Sequence, residues 1–117
     1  MSEHIIALLK LFQAFMPDQE TAAWVLELAA SENKWNGAHD LFDKVRRRNL
    51  AAIESGDLSR QWQYCFEEIC LKALYNESGS RAPFDSDSPY WIAPLAIQTA
   101  RQFGVPVDSV IGIVAPR

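Results

Sequence analysis

Few side chains in this sequence could carry chemistry. Two cysteines, Cys65 and Cys70, and two histidines, His4 and His39, are the candidates for nucleophilic catalysis. That chemistry needs a thiolate and an imidazole within hydrogen-bond reach, with a third group orienting the base. His39 and Asp43 are four residues apart, which puts both on one face of a helix. A pocket around His39, Asp43 and Cys65 is therefore what a small helical enzyme or ligand-binding domain would use. The same histidine and aspartate supply two metal ligands. A structural zinc takes four, so distant carboxylates or cysteines would have to complete the set. Blander readings stand beside these. Cysteine on an apolar helix stripe behaves as a small hydrophobe. Asp40 and Asp43 precede Lys44 and Arg47 by four residues, the spacing of intrahelical ion pairs. No glycine-rich phosphate loop, GxSxG elbow, CxxC pair or HExxH is present.

Binding chemistry offers more. Lys44, Arg47 and Arg48 share a helix face that could hold a phosphate or an acidic partner; as a solvated face it would pair with Asp40, Asp43 and Glu54. Asp85, Ser86, Asp87 and Ser88 open like a calcium loop, but the sixth and twelfth positions are Tyr90 and Ala96 instead of glycine and glutamate. The same four residues suit a helix N-terminus, where carboxylates meet the positive end of the dipole. Tyr90 and Trp91 follow at once. Tryptophan and tyrosine are favoured at interface hot spots, although a tryptophan in a first helical turn commonly packs that helix onto a core.

The charge pattern narrows the partners. The net charge is −4 over 117 residues, which argues against non-specific binding to nucleic acid. The excess is uneven: residues 1–43 carry net −5, residues 44–60 net +3 and residues 61–117 net −2. Cys65 and Cys70, five apart on one helix, point about 140° from each other and cannot bridge. With no evident leader, free thiols and no apolar run near the roughly 18 residues of a membrane span, the chain reads as cytoplasmic.

The elements that must position these residues read as helices. Apolar residues make up 49% of the chain and charged residues 22%, enough for a packed core without disulfides or metal. Residues 3–16 repeat Ile5, Leu8, Leu9, Phe12, Phe15 and Met16 at helical spacing, and Pro17 breaks the run. Residues 18–31 follow, apolar almost all round from Ala22 to Ala30, so this helix is either central or covered. Asn36 and Gly37 mark a turn. A third helix runs from Ala38 to Ser55 on a stripe of Leu41, Phe42, Val45, Ala52 and Ile53, and Gly56 caps it. The fourth, from about Asp57 or Ser59 to Tyr75, places Leu58, Trp62, Cys65, Phe66, Ile69, Ala73 and Leu74 on one face. The fifth starts at Pro89, is bent by Pro94 and ends before Gly104.

The sequence thus predicts one all-α domain over residues 1–117. It is a compact bundle of about five helices with a long loop at 76–88. After residue 104 comes a short helix or an extended segment. For function it points to a small acidic module that binds another protein, of the kind that inhibits a basic partner stoichiometrically, as an immunity protein does its toxin. An acidic face would speed encounter with such a target. The expected contacts are Glu20, Glu27 and Glu32 on one segment and Asp85, Asp87, Tyr90 and Trp91 on the other. The enzyme around His39, Asp43 and Cys65 is the alternative. No cofactor is implied, and surplus apolar surface on the first two helices also raises self-association.

Overall fold

The computed structural model describes residues 2–31, 37–77 and 89–115. They form six helices: α1 (Ser2–Gln13), α2 (Gln19–Ala30), α3 (Ala38–Ser55), α4 (Leu58–Glu77), α5 (Pro89–Phe103) and α6 (Val107–Val114). There is no strand among the described residues. The segment after residue 104, for which helix and extended chain were both open, is helical. Of the expected loop at 76–88, Asn76 and Glu77 belong to α4, and residues 78–88 lie outside the described residues.

Local chemistry sets the ends. Asp18 caps α2, its side chain accepting from the Thr21 N–H at 3.1 Å. Gln19 reaches back across Pro17 and donates to the carbonyls of Gln13 and Met16, each at 2.7 Å, which satisfies the end of α1. α3 ends on Gly56, whose φ of 75° lies in the left-handed region open to glycine. The Asp57 N–H then closes on the Ala52 carbonyl at 2.9 Å. The same closure recurs after α5, where Gly104 has φ 76° and the Val105 N–H meets Ala100 O at 2.9 Å.

α4 is the central element and packs against α1, α2, α3 and α5, while α6 closes the bundle against α1 and α5. One core draws on all six helices, from Ile5, Leu8 and Phe12 through Val25, Val45, Phe66, Leu71 and Leu74 to Ala96 and Val110. Phe12 and Phe66 stack at its centre with ring centroids 5.0 Å apart. Truncating either to alanine would cost about 3–5 kcal/mol.

The buried side of α4 keeps Phe66, Ala73 and Leu74 of the expected stripe but differs in the rest. Leu58 and Cys65 are exposed and Trp62 and Ile69 half-buried, whereas Gln63, Tyr64, Glu67, Cys70 and Leu71 are buried. Ile53 of α3 likewise turns outward. The helix is rotated because Gln63 and Glu67, polar by type, find partners inside the bundle and take the places that an apolar pattern assigns to Leu58 and Cys65.

Candidate functional site

Two regions stand apart from ordinary packing. The first is a polar cluster where α2, α3 and α4 meet. Gln63, wholly buried, accepts from the Asp18 N–H at 2.8 Å through Oε1. Its Nε2 is shared among Asp18 O at 2.8 Å, Thr21 Oγ1 at 3.0 Å and Glu67 Oε2 at 3.1 Å. The Tyr64 hydroxyl donates to Asp18 Oδ2 at 2.6 Å. Arg48 reaches from α3 to donate to both oxygens of Asp18, at 3.2 and 3.0 Å, and to Glu20. One carboxylate at a helix start therefore ties three helices together.

This geometry shifts the titrations. Partial burial pushes Asp18 up, but hydrogen bonds from Tyr64, the Thr21 N–H and Arg48 outweigh it and hold the carboxyl below its ordinary range. Burial, then the bond to Asp18, push the Tyr64 hydroxyl up. Glu67 is raised from 4.5 to about 8, mainly by burial against the weaker opposing hydrogen bonds of Gln63 and Thr21. It is thus a neutral acid at pH 7. Its second oxygen, Oε1, has no hydrogen-bond partner.

Beside the cluster lies an open groove of about 610 Å³ lined by Asp18, Glu20, Arg48, Ser55, Asp57, Arg60 and Tyr64, among others. Its charges are already matched within the chain. Arg48 pairs with Asp18 and Glu20, and Arg60 pairs with Asp57 at 3.2 Å. Such a groove has little unspent charge with which to hold an ion.

The second region is apolar and outward-facing. Leu50 is 61% exposed, Ile53 53% and Leu58 73%, all at the end of the α3–α4 hairpin. Leu58 also lines a groove of about 380 Å³ formed with Gln61, Trp62, Cys65, Phe66, Leu95 and Gln102. Spacing explains the continuity. Leu58, Trp62 and Cys65 follow one another at four and three residues along α4, and Asn49 of α3 donates to Cys65 Sγ at 3.9 Å, with Ile53 one turn further on. The floor is fixed by Trp62 Nε1, which donates to Thr99 Oγ1 of α5 at 2.9 Å.

The residues singled out in the sequence fall as follows. Glu20 and Arg48, placed there on two separate surfaces, are partners. Lys44 Nζ and Arg48 Cζ lie 4.9 and 4.7 Å from the Trp24 ring centroid, so the apolar flank of α2 is covered from within the chain by the stems and charges of α3. Arg47 and Glu27 are exposed. Arg46, outside the expected basic face, pairs with Glu68 at 2.9 Å. His39 is exposed beside Asp43, and its ring meets Tyr75 edge-on, with centroids 6.2 Å apart. Tyr75 is ten residues, about 15 Å of helix, from Cys65. His39 and Cys65 therefore form no thiolate–imidazole pair. Burial and then Glu68 also push the Cys65 thiol up, against the opposing bond from Asn49. Cys70 is buried and its thiol is pushed up, mainly by burial and next by Glu67. Among the described residues, no group of three or more histidine, cysteine or acidic side chains is placed to hold a metal, and no helix is long and apolar enough to cross a membrane. Glu32, Asp85 and Asp87 lie outside the described residues. Tyr90 and Trp91 are in the first turn of α5, with side chains outside the description.

Sequence reasoning missed Asp18, Gln63, Tyr64 and Glu67 as a unit. The available signal was the i, i+4 spacing of Gln63 and Glu67 on a helix otherwise rich in apolar residues. It also missed the exposure of Ile53 and Leu58, which pattern alone assigns to a core, and made no assignment for Leu50. No protein-family model, curated protein or solved structure matches the chain.

Proposed function

We propose that this chain is a protein-binding module whose docking face is the apolar strip of Leu50, Ile53 and Leu58 and the groove of Trp62, Cys65 and Leu95 beside it. The observation that carries the reading is the exposure of three long aliphatic side chains, each more than half open, one of which, Leu58, lines a pre-formed apolar groove. Isolated exposed aliphatics are ordinary, but a contiguous set beside a concave floor is the form taken by interface cores. Trp62, held by Thr99, provides a rigid aromatic wall, and rigid aromatics anchor interfaces at low entropic cost.

Inhibition of a basic protein is the narrower form of this reading. The net charge of −4 supports it. Glu20, however, is spent on Arg48, so the apolar strip supplies the contact area and the acidic surplus supplies steering. Paired retention experiments from an extract of the native host test the reading, with immobilised wild type beside the double variant Ile53→Asp, Leu58→Asp. Both sites are exposed, so both proteins should melt alike. A protein held by the wild type and released by the variant is the expected result. Identical retained sets from the two would overturn it.

A further inference from the structure

Resting on the protein-binding reading, we infer that one occupant of the strip is a second copy of this chain, paired antiparallel through α3 about a twofold axis at Leu50. The order of side chains on the outer face of α3 sets the pairing. Arg46, Leu50 and Glu54 stand four residues apart and form one ridge along the helix, with Ile53 on the next. Leu50 and Ile53 are open, and Arg46 and Glu54 are exposed on either side of them with opposite charge.

A twofold axis at Leu50 sets residue 46 of each chain against residue 54 of the other. Leu50 then meets Leu50 at the centre. Arg46 meets Glu54 twice, once on each side, and the stem of Arg47 lies along Ile53. A parallel arrangement would instead stack arginine on arginine and glutamate on glutamate. The charge order on this one helix therefore selects the isologous, antiparallel pairing.

Arg46 is prepared for the role. Its Nε donates to Glu68, which Lys72 also meets at 3.2 Å, so the guanidinium is held from behind. The two terminal nitrogens stay available for a carboxylate, because arginine carries five donors in a fixed fork. Half of the Arg46 side chain remains in solvent, at 51% exposed. Asp43 and Asp57 face each other at the two ends of the pairing, where Asp57 is already matched by Arg60.

The test is the mass in solution over a concentration series, read by light scattering or sedimentation equilibrium. The wild type should move from 13.2 kDa towards twice that value as concentration rises. Leu50→Asp should stay at one chain with an unchanged melt. Glu54→Arg alone and Arg46→Glu alone should each be monomeric, since each sets like charges together. Mixed in equal amounts, the two should form a heterodimer, because every facing pair is then opposite. A wild type of single-chain mass at every concentration overturns the inference. So does a dimer that Leu50→Asp leaves intact, or a mixture of the two charge variants that stays monomeric. A monomeric wild type whose strip variant still releases a retained host protein removes self-pairing alone. Strip variants that change neither mass nor retention remove the protein-binding reading as well.

Discussion

The polar cluster and the apolar strip invert the usual placement of residue types. Around Gln63, side chains that belong in water are inside and, apart from Glu67 Oε1, matched to one another. Around Leu58, side chains that belong inside are exposed among the described residues. Both regions include α4, and its rotation contributes to each: burying Gln63, Tyr64 and Glu67 turns Leu58 and Cys65 outward, while Leu50 and Ile53 face out from α3. A buried polar cluster is held by its partners, since each unmet donor or acceptor costs about 1–3 kcal/mol. An exposed apolar strip contributes almost nothing to folding. The contrast therefore assigns stability to one side of α4 and leaves the other open for the recognition proposed above.

This division can be broken from the largest expected effect downward. Glu67 gives the first opening. Its folded pKa of about 8 lies above the ordinary 4.5, so the folded chain holds a proton that the unfolded chain has lost between those values. Its contribution is complete below pH 4.5 and declines as pH rises to about 8, with a limiting slope of about 1.4 kcal/mol per pH unit. Glu67→Gln keeps a neutral side chain of the same shape. It should unfold with a flatter pH profile and exceed the wild type by several kcal/mol at pH 8. Chemical denaturation across that range checks this, and parallel profiles for the two proteins would contradict it.

Gln63→Ala comes next. It strips partners from the Asp18 backbone, Thr21 and Glu67 together and should cost about 3 kcal/mol. Asp18→Ala removes the α2 cap and the acceptor of Tyr64 and Arg48, and should cost about 2 kcal/mol. Because Asp18 is held below its ordinary 3.8, its stabilisation is present above that pH and is lost as pH falls through its folded value. The Asp18→Ala deficit should therefore shrink in acid. Urea titrations at neutral and acid pH read this directly, and a deficit independent of pH would show that the carboxylate is not the source.

Leu58→Ser is the smallest expected change, within about 0.5 kcal/mol of the wild type. A larger loss would mean that the strip belongs to the core and would sink the contrast. Retention should move the other way. Leu58→Ser should weaken docking while Gln63→Ala, at a temperature where it is folded, should not.

Much of the fold was legible because its punctuation is chemical. Gly56 and Gly104 stand directly after α3 and α5 and Pro89 opens α5, through properties that no packing can override, whereas α1 stops at Gln13, four residues ahead of Pro17. Of the α4 face, Phe66, Ala73 and Leu74 were legible and the polar side was not. Apolar periodicity ranks Leu58 and Cys65 above Gln63 and Glu67, and only the meeting of Gln63 with the Asp18 backbone, 45 residues away, reverses that rank. The partnership of Arg48 with Glu20 was hidden for the same reason. Spacing along one helix reports neighbours within it, whereas these charges meet across two. Chemistry on His39 and Cys65 could be named from residue type, but their separation along α3 and α4 depends on how those helices pair.

Cys65 offers the most direct measurement, since it lies in the groove beside Leu58 and Trp62 while Cys70 is buried. Alkylation of the native chain should modify Cys65 and spare Cys70. With a protein retained by the strip bound, the rate at Cys65 should fall by the fraction of chain occupied and recover in the Ile53→Asp, Leu58→Asp variant. A Cys65 rate that is the same in the free and the bound chain would contradict docking on this face.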